Sequence, residues 1–405
     1  MKLKSERLLI GDTHPEIIAV AREYSKQNAL FTIILPLYFT VAESRKLSLI
    51  LPQNSKFRLW LLKRTLPPEI INKNLRRPFA TIDLLLWCLK KINLNSGART
   101  LSRVYKNLLQ SYLFFYLQSH HIKQITCYDT INLPRNFKNH LVVICPMSHP
   151  NSVGTAMLKA KKDFPFWFFD VENQVTGISA MTERACDIVV LSQYSHNTFE
   201  RAGFPIEKLH TIAIGPINGS RSLPSFDKLT KPANFSALFV GYMGLRKGVP
   251  AIMQASYQVE GLAQFRLVGP TSKNIASFIR ENSNSKTLTV VENPDPENLR
   301  LEFESAQIFV MPSYNDGFGI ACIEGMTYGH LPIISRSTGV SEILIGTPLE
   351  RFLVAPGSTV DIVRVIRDIS ELTQKEYVAL RRLSYEISQK YSMEFFAVNF
   401  VELFK

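Results

Sequence analysis

Two acidic residues stand eight positions apart around a glycine-rich turn, and their types and spacing suit ligand chemistry. Asp316 begins the run Asp316-Gly317-Phe318-Gly319, and Glu324 is the only charged residue of the helix predicted after it. Unpaired N–H groups at a helix N-terminus suit an anion or a sugar hydroxyl. The structural alternative is that Asp316 caps the helix and Glu324 belongs to its solvated face. Spacing alone leaves both interpretations open.

A strand, a turn, a helix and a second strand are predicted to position these acids. The apolar run Ile308–Met311 is too short for a typical helix and fits a buried strand. A helix is predicted from Ile320 to Tyr328, Gly329 ends it, and Pro332–Ser335 is the next strand. This βαβ pattern places the turn at the carboxyl end of a strand, where ligands of open α/β sheets bind.

The same alternation of strands and helices runs through most of the chain and predicts an α/β fold with parallel, doubly wound sheets. A mostly helical region is predicted between about residues 55 and 118. Strands are predicted at 31–35, 141–145, 187–192 and 209–214 in the first half, and at 237–241, 265–269, 288–291, 308–311, 333–335 and 352–354 in the second.

Two facing Rossmann-like domains with an interdomain cleft are the predicted architecture. Residues 1–218 form the N-terminal, acceptor-binding domain. Residues 219–234 have turn-forming composition without periodicity and are interpreted as the linker. Residues 235–385 form the C-terminal, donor-binding domain, and residues 386–405 form a helix that packs back toward the N-terminal domain.

The composition is that of a globular chain in a reducing compartment. Of the 405 residues, 46% are hydrophobic and 20% are charged. The five cysteines are odd in number and widely spaced, which argues against a disulfide framework and a zinc site. The first residues contain no apolar segment typical of a signal peptide. We therefore expect a cytoplasmic protein.

Positive charge is concentrated in the first part of the chain. Residues 1–150 hold 22 Lys and Arg against 8 Asp and Glu, whereas residues 151–405 hold 25 against 26. The density is highest in 51–100, where Arg76-Arg77 and Lys90-Lys91 alternate with large apolar residues. This pattern suits peripheral contact with an anionic membrane at its inner face. The alternative is a solvated basic face over ordinary helices. Nucleic acid is a further alternative, but no zinc-finger or RRM signature supports it, and it is not an expected partner.

The second half of the sequence resembles the donor domain of GT-B glycosyltransferases of family 4, the retaining, nucleotide-sugar-dependent enzymes also called glycosyl transferases group 1. The family's acid-x7-acid motif is similar to the segment from Asp316 to Glu324, and its following loop and acid to Ser335–Glu342. Other similar segments are Phe239–Gly248, Phe265–Pro270, Glu183–Ser192 and Phe199–Gly203.

This resemblance implies a retaining transfer of a sugar from a nucleoside-diphosphate sugar to an acceptor hydroxyl. The basic, aromatic-rich first domain favours an acceptor in surface polysaccharide or glycolipid synthesis. It implies that Glu324 binds the ribose and that Asp316, with the N–H groups of residues 317–319, holds the sugar hydroxyls. Lys247 and Arg246 are the candidate cations for the diphosphate, whose negative charge grows in the transition state. The structural alternative is a surface Lys-Arg pair that opens a helix.

The predicted site includes further residues, and no metal or cofactor is expected in it. The predicted donor-binding residues are Gly241, Gly248, Gly269, Gly317, Phe318, Gly319, Glu324 and Glu342. His149, in a loop after a strand, resembles a Ser-His-Pro element of some family members, although a lone loop histidine more often makes local hydrogen bonds. Asp170 and Glu172 are further candidates on the acceptor side. No general base is identified, because the leaving phosphate oxygen is expected to take the acceptor proton.

Two departures from the family pattern concern the donor. Tyr242 occupies the place of the arginine that usually follows the strand glycine, and the first acid is Asp316 instead of the longer glutamate. Three alternatives to transfer remain: a GT-B epimerase or hydrolase of sugar nucleotides, a catalytically silent sugar-binding protein, and a nucleic-acid binder.

Overall fold

The computed structural model describes most of the chain, and the structural statements below refer to these ranges. They are residues 7–11, 15–29, 31–36, 38–50, 58, 61, 64–70, 74–91, 95–129, 131, 133–134, 137–169, 180–216, 229–283 and 286–405. Residues 219–228 of the predicted linker, Asp170 and Glu172 lie outside them.

Two sheets contain the strands of the described residues. The first has the order β3-β2-β1-β4-β5-β6-β7, and the second has the order β10-β9-β8-β11-β12-β13. Every pair in the second sheet is parallel. The strands are β1 Arg7–Ile10, β2 Phe31–Ile34, β3 Leu75–Arg76, β4 Gln124–Tyr128, β5 His140–Cys145, β6 Asp187–Val190, β7 Leu209–Thr211, β8 Phe235–Val240, β9 Ala263–Gly269, β10 Leu288–Glu292, β11 Ile308–Met311, β12 Leu331–Ser335 and β13 Leu353–Val354.

Helices connect these strands, as parallel pairing requires. They are α1 Pro15–Lys26, α2 Val41–Ile50, α3 Ala80–Lys91, α4 Asn95–Ser119, α5 Pro150–Asp163, α6 Ala180–Glu183, α7 Gln193–Glu200, α8 Val249–Gln258, α9 Lys273–Glu281, α10 Pro296–Ser305, α11 Ile320–Thr327, α12 Thr359–Glu371, α13 Gln374–Ser388 and α14 Met393–Leu403. Side chains of Ser272, Asp295, Ser358 and Thr373 accept hydrogen bonds from the first turns of α9, α10, α12 and α13. Each satisfies an otherwise unpaired N–H group.

The α/β fold with two parallel, Rossmann-like sheets is confirmed. In the second sheet all four residues of β11 are buried, as its uninterrupted apolar sequence predicts. Phe239, Phe265 and Phe309, on three neighbouring strands, form a solvent-free core. This packing holds the carboxyl ends of β8, β9, β11 and β12 at one edge of the sheet.

The prediction of a mostly helical region between residues 55 and 118 is wrong in one part. Leu75–Arg76 form the edge strand β3, which pairs with Ile33–Ile34. This pairing with β2, and not the local sequence pattern, makes the segment a strand. The strands β1 and β4 were also not predicted; both are short, and their pairing partners lie far away in sequence.

The chain forms two compact units. One consists of Met1–Cys145, Ser179–Val189 and Phe396–Lys405, and the other consists of Pro146–Ile178 and Val190–Phe395. The domain boundaries given above from the sequence stay predictions. No helix in the described part of the chain is long and apolar enough to cross a membrane.

Candidate functional site

The loops that follow two neighbouring strands bring a lysine and an aspartate together. Since β8 and β11 are adjacent and parallel, the segments that leave their carboxyl ends start at the same edge of the sheet. A short 3-10 turn, Leu245–Lys247, ends the first segment. The ammonium group of Lys247 donates a hydrogen bond to the carboxylate of Asp316. With side chains 17% and 9% exposed, the pair is largely shielded from water.

The electrostatics of this pair favour a charged aspartate. Burial raises the pKa of Asp316, but the charges of Lys247 and Arg246 and the N–H of Phe318 outweigh it, and the net shift is downward. Burial lowers the pKa of Lys247, and Asp316 offsets this only in part. Lys247 is therefore a cation that burial makes easier to deprotonate than an ordinary lysine.

Gly248 allows the two loops to approach. Its φ of 74° lies in the left-handed region. A Cβ at this position would overlap the carbonyl oxygen of Pro312. On either side of this approach, the N–H of Tyr314 donates to the carbonyl of Arg246 at 2.8 Å, and Arg246 Nη1 donates to the carbonyl of Asn315 at 2.7 Å. These contacts fix the position of both cations relative to the turn.

The backbone of the glycine-rich turn is also fixed. The N–H of Asp316 donates to the carbonyl of Ser337 at 3.0 Å, and the N–H of Gly339 donates to the carbonyl of Asp316 at 3.1 Å. Gly319, with a φ of 97°, is the N-cap of α11 and makes no side-chain cap bond. Asp316 therefore does not cap the helix, and that structural alternative is wrong.

Gly317 permits a second close approach. A Cβ there would overlap the carbonyl oxygen of Pro146. The carbonyl of Gly317 accepts hydrogen bonds from Ser192 Oγ at 2.6 Å and from Ser195 Oγ at 3.1 Å. Both serines begin α7, so the start of this helix is bound to the turn that carries Asp316.

Two more residues of the predicted site are Glu342, which binds the start of α7, and Phe318, which lies in the glycine-rich turn. The carboxylate of Glu342 accepts hydrogen bonds from the N–H groups of Gln193, at 2.9 Å, and Tyr194. Burial raises the pKa of Glu342, and these two bonds offset the shift in part. The side chain of Phe318 is buried, with its ring centroid 6.5 Å from that of Tyr391. Glu342 therefore has a structural role at the start of α7. Its contact with the donor stays a prediction.

Glu324 lies in the middle of α11 and is half-buried. It is therefore not a fully solvated residue of an exposed face. Gly241 and Gly269 end neighbouring strands, and a Cβ at Gly269 would overlap the carbonyl oxygen of Gly241. The donor contacts of these three residues stay predictions.

His149 caps α5. Its Nδ1 accepts a hydrogen bond from the N–H of Asn151 at 3.2 Å, and its own N–H donates to Thr198 Oγ1 at 2.9 Å. The ring packs edge-on against Phe199, with centroids 5.3 Å apart. Burial lowers the pKa of His149 and favours the neutral ring. The structure gives His149 the local hydrogen-bonding role that a loop histidine commonly has.

Sequence reasoning did not identify the polar residues behind the turn. Asn315 Nδ2 lies 3.2 Å from Ser152 Oγ and 2.9 Å from the hydroxyl of Tyr194. Ser152 and Tyr194 line a cavity of about 410 Å³ within the second compact unit, together with Thr155, Lys159, Arg201 and Tyr314. The serine that starts α7, Ser192, was detectable as an N-cap, but its contact with Gly317 was not.

The described residues contain no group of three or more His, Cys, Asp or Glu side chains that could hold a metal ion. The expectation that the reaction needs no metal and no cofactor stays a prediction.

A family model described as "Glycosyl transferases group 1" matches residues 225–386. Among curated proteins, an uncharacterised glycosyltransferase of Methanocaldococcus jannaschii is 26% identical over 166 residues, which are 40% of this chain and 44% of that protein. The O-antigen chain mannosyltransferase B of Escherichia coli is 22% identical over 214 residues, 49% of this chain and 55% of that protein. The chain thus spans about half the length of these relatives.

The fold is similar to that of solved GT-B glycosyltransferases. The crystal structure of HepE from Anabaena, in complex with UDP and glucose, matches with a TM-score of 0.58 at 14% identity, and covers 98% of this chain and 99% of that one. At this identity the similarity concerns the fold alone, and it confirms the predicted GT-B class.

Proposed function

We propose that this chain is a retaining glycosyltransferase, and the match of residues 225–386 to the glycosyl transferases group 1 model supports this. It would transfer a sugar from a nucleoside-diphosphate sugar to an acceptor hydroxyl. The observation that carries this proposal is the shielded pair of Lys247 and Asp316, which joins the family's Lys-Gly segment to its acid-x7-acid turn.

In this reaction the bond from the anomeric carbon to the diphosphate breaks, and a bond to the acceptor oxygen forms on the same face of the sugar. Negative charge grows on the diphosphate, and a fixed cation in a shielded site stabilises it. Lys247 provides that cation, with Arg246 beside it. The acceptor proton goes to the departing phosphate oxygen, which is why no protein base is assigned.

Before the donor binds, Asp316 holds Lys247 in place. We assign to Asp316 the hydroxyls of the donor sugar and to Glu324 the hydroxyls of the ribose, for which a carboxylate is a suitable acceptor. Because Asp316 is shorter than the family's usual glutamate, its reach toward the sugar is reduced by one methylene. The lysine on its other side partly offsets the loss by fixing the carboxylate.

A surface glycan or a lipid-linked sugar is the acceptor class that we propose. A similar protein of Escherichia coli is named an O-antigen chain mannosyltransferase, and the similar HepE structure holds UDP and glucose. These names support a nucleotide-linked hexose as donor.

Contact with the inner face of a membrane is part of this proposal. Helix α4 exposes Val104, Leu108 and Phe115, the last to 66%, on one side, because residues 104, 108 and 115 lie within about 40° of each other around a helix. Arg103 and Lys106 are exposed on the same helix. Apolar and basic side chains together suit an anionic lipid surface. Phe115→Ser should weaken co-sedimentation with anionic vesicles, and unchanged binding would contradict membrane contact through α4.

A thermal-shift panel of UDP-, GDP- and ADP-sugars tests the donor site. One of these nucleotides should raise the unfolding temperature of the wild type and shift Glu324→Ala less. Lys273→Met, at an exposed position on α9, is the matched control and should respond like the wild type. Stabilisation by none of the nucleotides would contradict the proposed function.

Turnover separates the remaining alternatives. A hydrolase or epimerase would consume the stabilising donor with no acceptor present. A silent sugar-binding protein would bind the donor and transfer nothing to any acceptor extract.

A further inference from the structure

The cavity behind the glycine-rich turn has a charge pattern that the proposed reaction does not use. Its volume is about 410 Å³, within the range of small-molecule sites. The two charged residues among those that line it are both cations, Lys159 and Arg201. Hydroxyl groups, among them those of Ser152, Thr155 and Tyr194, contribute to the rest of its polar lining.

The two cations differ in what neutralises them. Lys159 donates a hydrogen bond to Asp163, four residues on in α5, and lies 5.4 Å from the centroid of the Tyr314 ring. The hydroxyl of Tyr314 donates to the same carboxylate at 2.7 Å. No ion pair joins Arg201 to a carboxylate of the described residues, and its charge lowers the pKa of Tyr194, which burial chiefly raises. The guanidinium of Arg201 can therefore donate hydrogen bonds to an anion in this cavity.

The inner wall of the cavity is part of the turn that carries Asp316. Asn315 is fully buried, and its amide contacts Ser152 and Tyr194 from behind. One atom of this amide has no partner among the described residues, whichever way the amide is oriented. The charge of Asp316 also acts on Tyr194. A ligand in the cavity would thus lie against residues that adjoin the proposed sugar site.

We propose that this cavity binds a phosphate group of the acceptor, with Arg201 as its main contact and Lys159 as a secondary one. The inference rests on the proposed function, because it assigns the acceptor of the same transfer to the class of phosphorylated molecules. A guanidinium matches two phosphate oxygens at once, and the serine, threonine and tyrosine hydroxyls donate to the others. Arg201 is exposed and makes no ion pair with a carboxylate of the described residues, so its guanidinium is accessible to such a phosphate.

The test uses the full-length chain and glycerol 3-phosphate as probe, with glycerol as the uncharged match. The stabilising nucleotide is present at saturation, so that the phosphate site at Lys247 is occupied. Titration followed by NMR should show binding of glycerol 3-phosphate and none of glycerol. Arg201→Gln should weaken the binding about tenfold, the value of one charge-assisted contact. Lys159→Gln should weaken it less, because Asp163 already neutralises that lysine.

Lys162→Gln is the matched control, since Lys162 is exposed on the same helix and does not line the cavity. It should bind the probe like the wild type. Two results would overturn the proposal: no binding of glycerol 3-phosphate to the wild type, or unchanged binding to a folded Arg201→Gln variant. In both cases, stabilisation by the nucleotide would leave the glycosyltransferase assignment standing. If no nucleotide stabilised the wild type, the glycosyltransferase assignment itself would be contradicted.

Discussion

Two cations of this protein, Lys247 and Arg77, were candidates for ligand contact from the sequence, and the structure gives their ion pairs different surroundings. Lys247 meets Asp316 at the carboxyl end of a central strand, with side chains 17% and 9% exposed. Arg77 meets Glu43 in the basic first part of the chain, with side chains 25% and 34% exposed. The first pair is shielded beside a site, whereas the second lies at the surface.

The partners of the two cations explain the difference in expected role. Arg77 makes two bonds to Glu43, at 2.9 and 3.0 Å, and a third to the carbonyl of Tyr38 at 2.8 Å. It joins α2 to the segments around it and has few donors left for a lipid headgroup. Lys247 has one carboxylate partner and a neighbouring cation, Arg246. On this comparison we expect the position of a cation at a strand end to indicate function better than local charge density does.

The largest expected effect is on turnover, when the shielded cation is removed. Lys247→Met should lower the rate of sugar transfer about 100- to 1000-fold, as the loss of one fixed transition-state donor does. Initial rates with the stabilising donor measure this. Lys273→Met, which removes an exposed lysine of the same sheet domain, should transfer at the wild-type rate. Near-normal transfer by Lys247→Met would remove the distinction between the two pairs.

The second effect is on the pH dependence of transfer. Burial lowers the pKa of Lys247 from its ordinary 10.5, so the wild type should lose its cation, and its kcat/KM, at a lower pH than an ordinary lysine allows. An arginine stays protonated throughout this range. Lys247→Arg should therefore be slower than the wild type at neutral pH but keep its activity to higher pH. If the wild type and Lys247→Arg lost kcat/KM at the same alkaline pH, another group would control this loss.

Strand β11 of the second sheet was predictable because its sequence is one uninterrupted apolar run. Apolar runs without polar interruption, such as Ile308–Met311, are buried on both faces and end at proline or glycine. In the first part of the chain the strands are shorter or carry polar residues, as in Gln124–Tyr128. Strand β3 has only two residues, and it exists because Ile33–Ile34 pair with it. Local pattern cannot reveal such a strand.

The site was predictable in its residue types and not in its partners. Asp316, Lys247 and their glycines follow from the turn and the family resemblance. The contact of Ser192 with Gly317 joins residues 125 positions apart, and that of Asn315 with Ser152 joins residues 163 apart. Such contacts depend on how α5 and α7 pack on the turn, which no short segment encodes. The cavity at Arg201 arises from the same packing.

A smaller effect is expected on stability when the surface pair is broken. Arg77→Gln should lower the free energy of unfolding by about 1 kcal/mol, the upper end for partly exposed pairs. The hydrogen bond from Arg77 is the main cause that lowers the pKa of Glu43 below its ordinary 4.5. The stabilisation is therefore present above that pKa and is lost as the pH falls through the lowered value. Denaturation curves of both proteins should converge in acid, and a constant gap would contradict this origin.

The smallest effect tests whether the basic region contacts lipid after all. Arg76 is exposed next to Arg77, and its Nη1 donates a hydrogen bond to the carbonyl of Leu75 at 3.1 Å. A basic residue near an anionic surface contributes about 1 kcal/mol, or roughly fivefold in partitioning. Arg76→Gln should therefore weaken binding to vesicles rich in anionic lipid by up to about fivefold and leave the unfolding temperature unchanged.

Neutral vesicles and high salt are the controls for this prediction, because both remove the attraction of the surface for an exposed cation. Arg77→Gln should bind anionic vesicles nearly as the wild type does, since Glu43 already neutralises that guanidinium. Equal losses for Arg76→Gln and Arg77→Gln would show that the region acts through its total charge. The solvated-face interpretation of residues 51–100 requires that neither substitution changes vesicle binding.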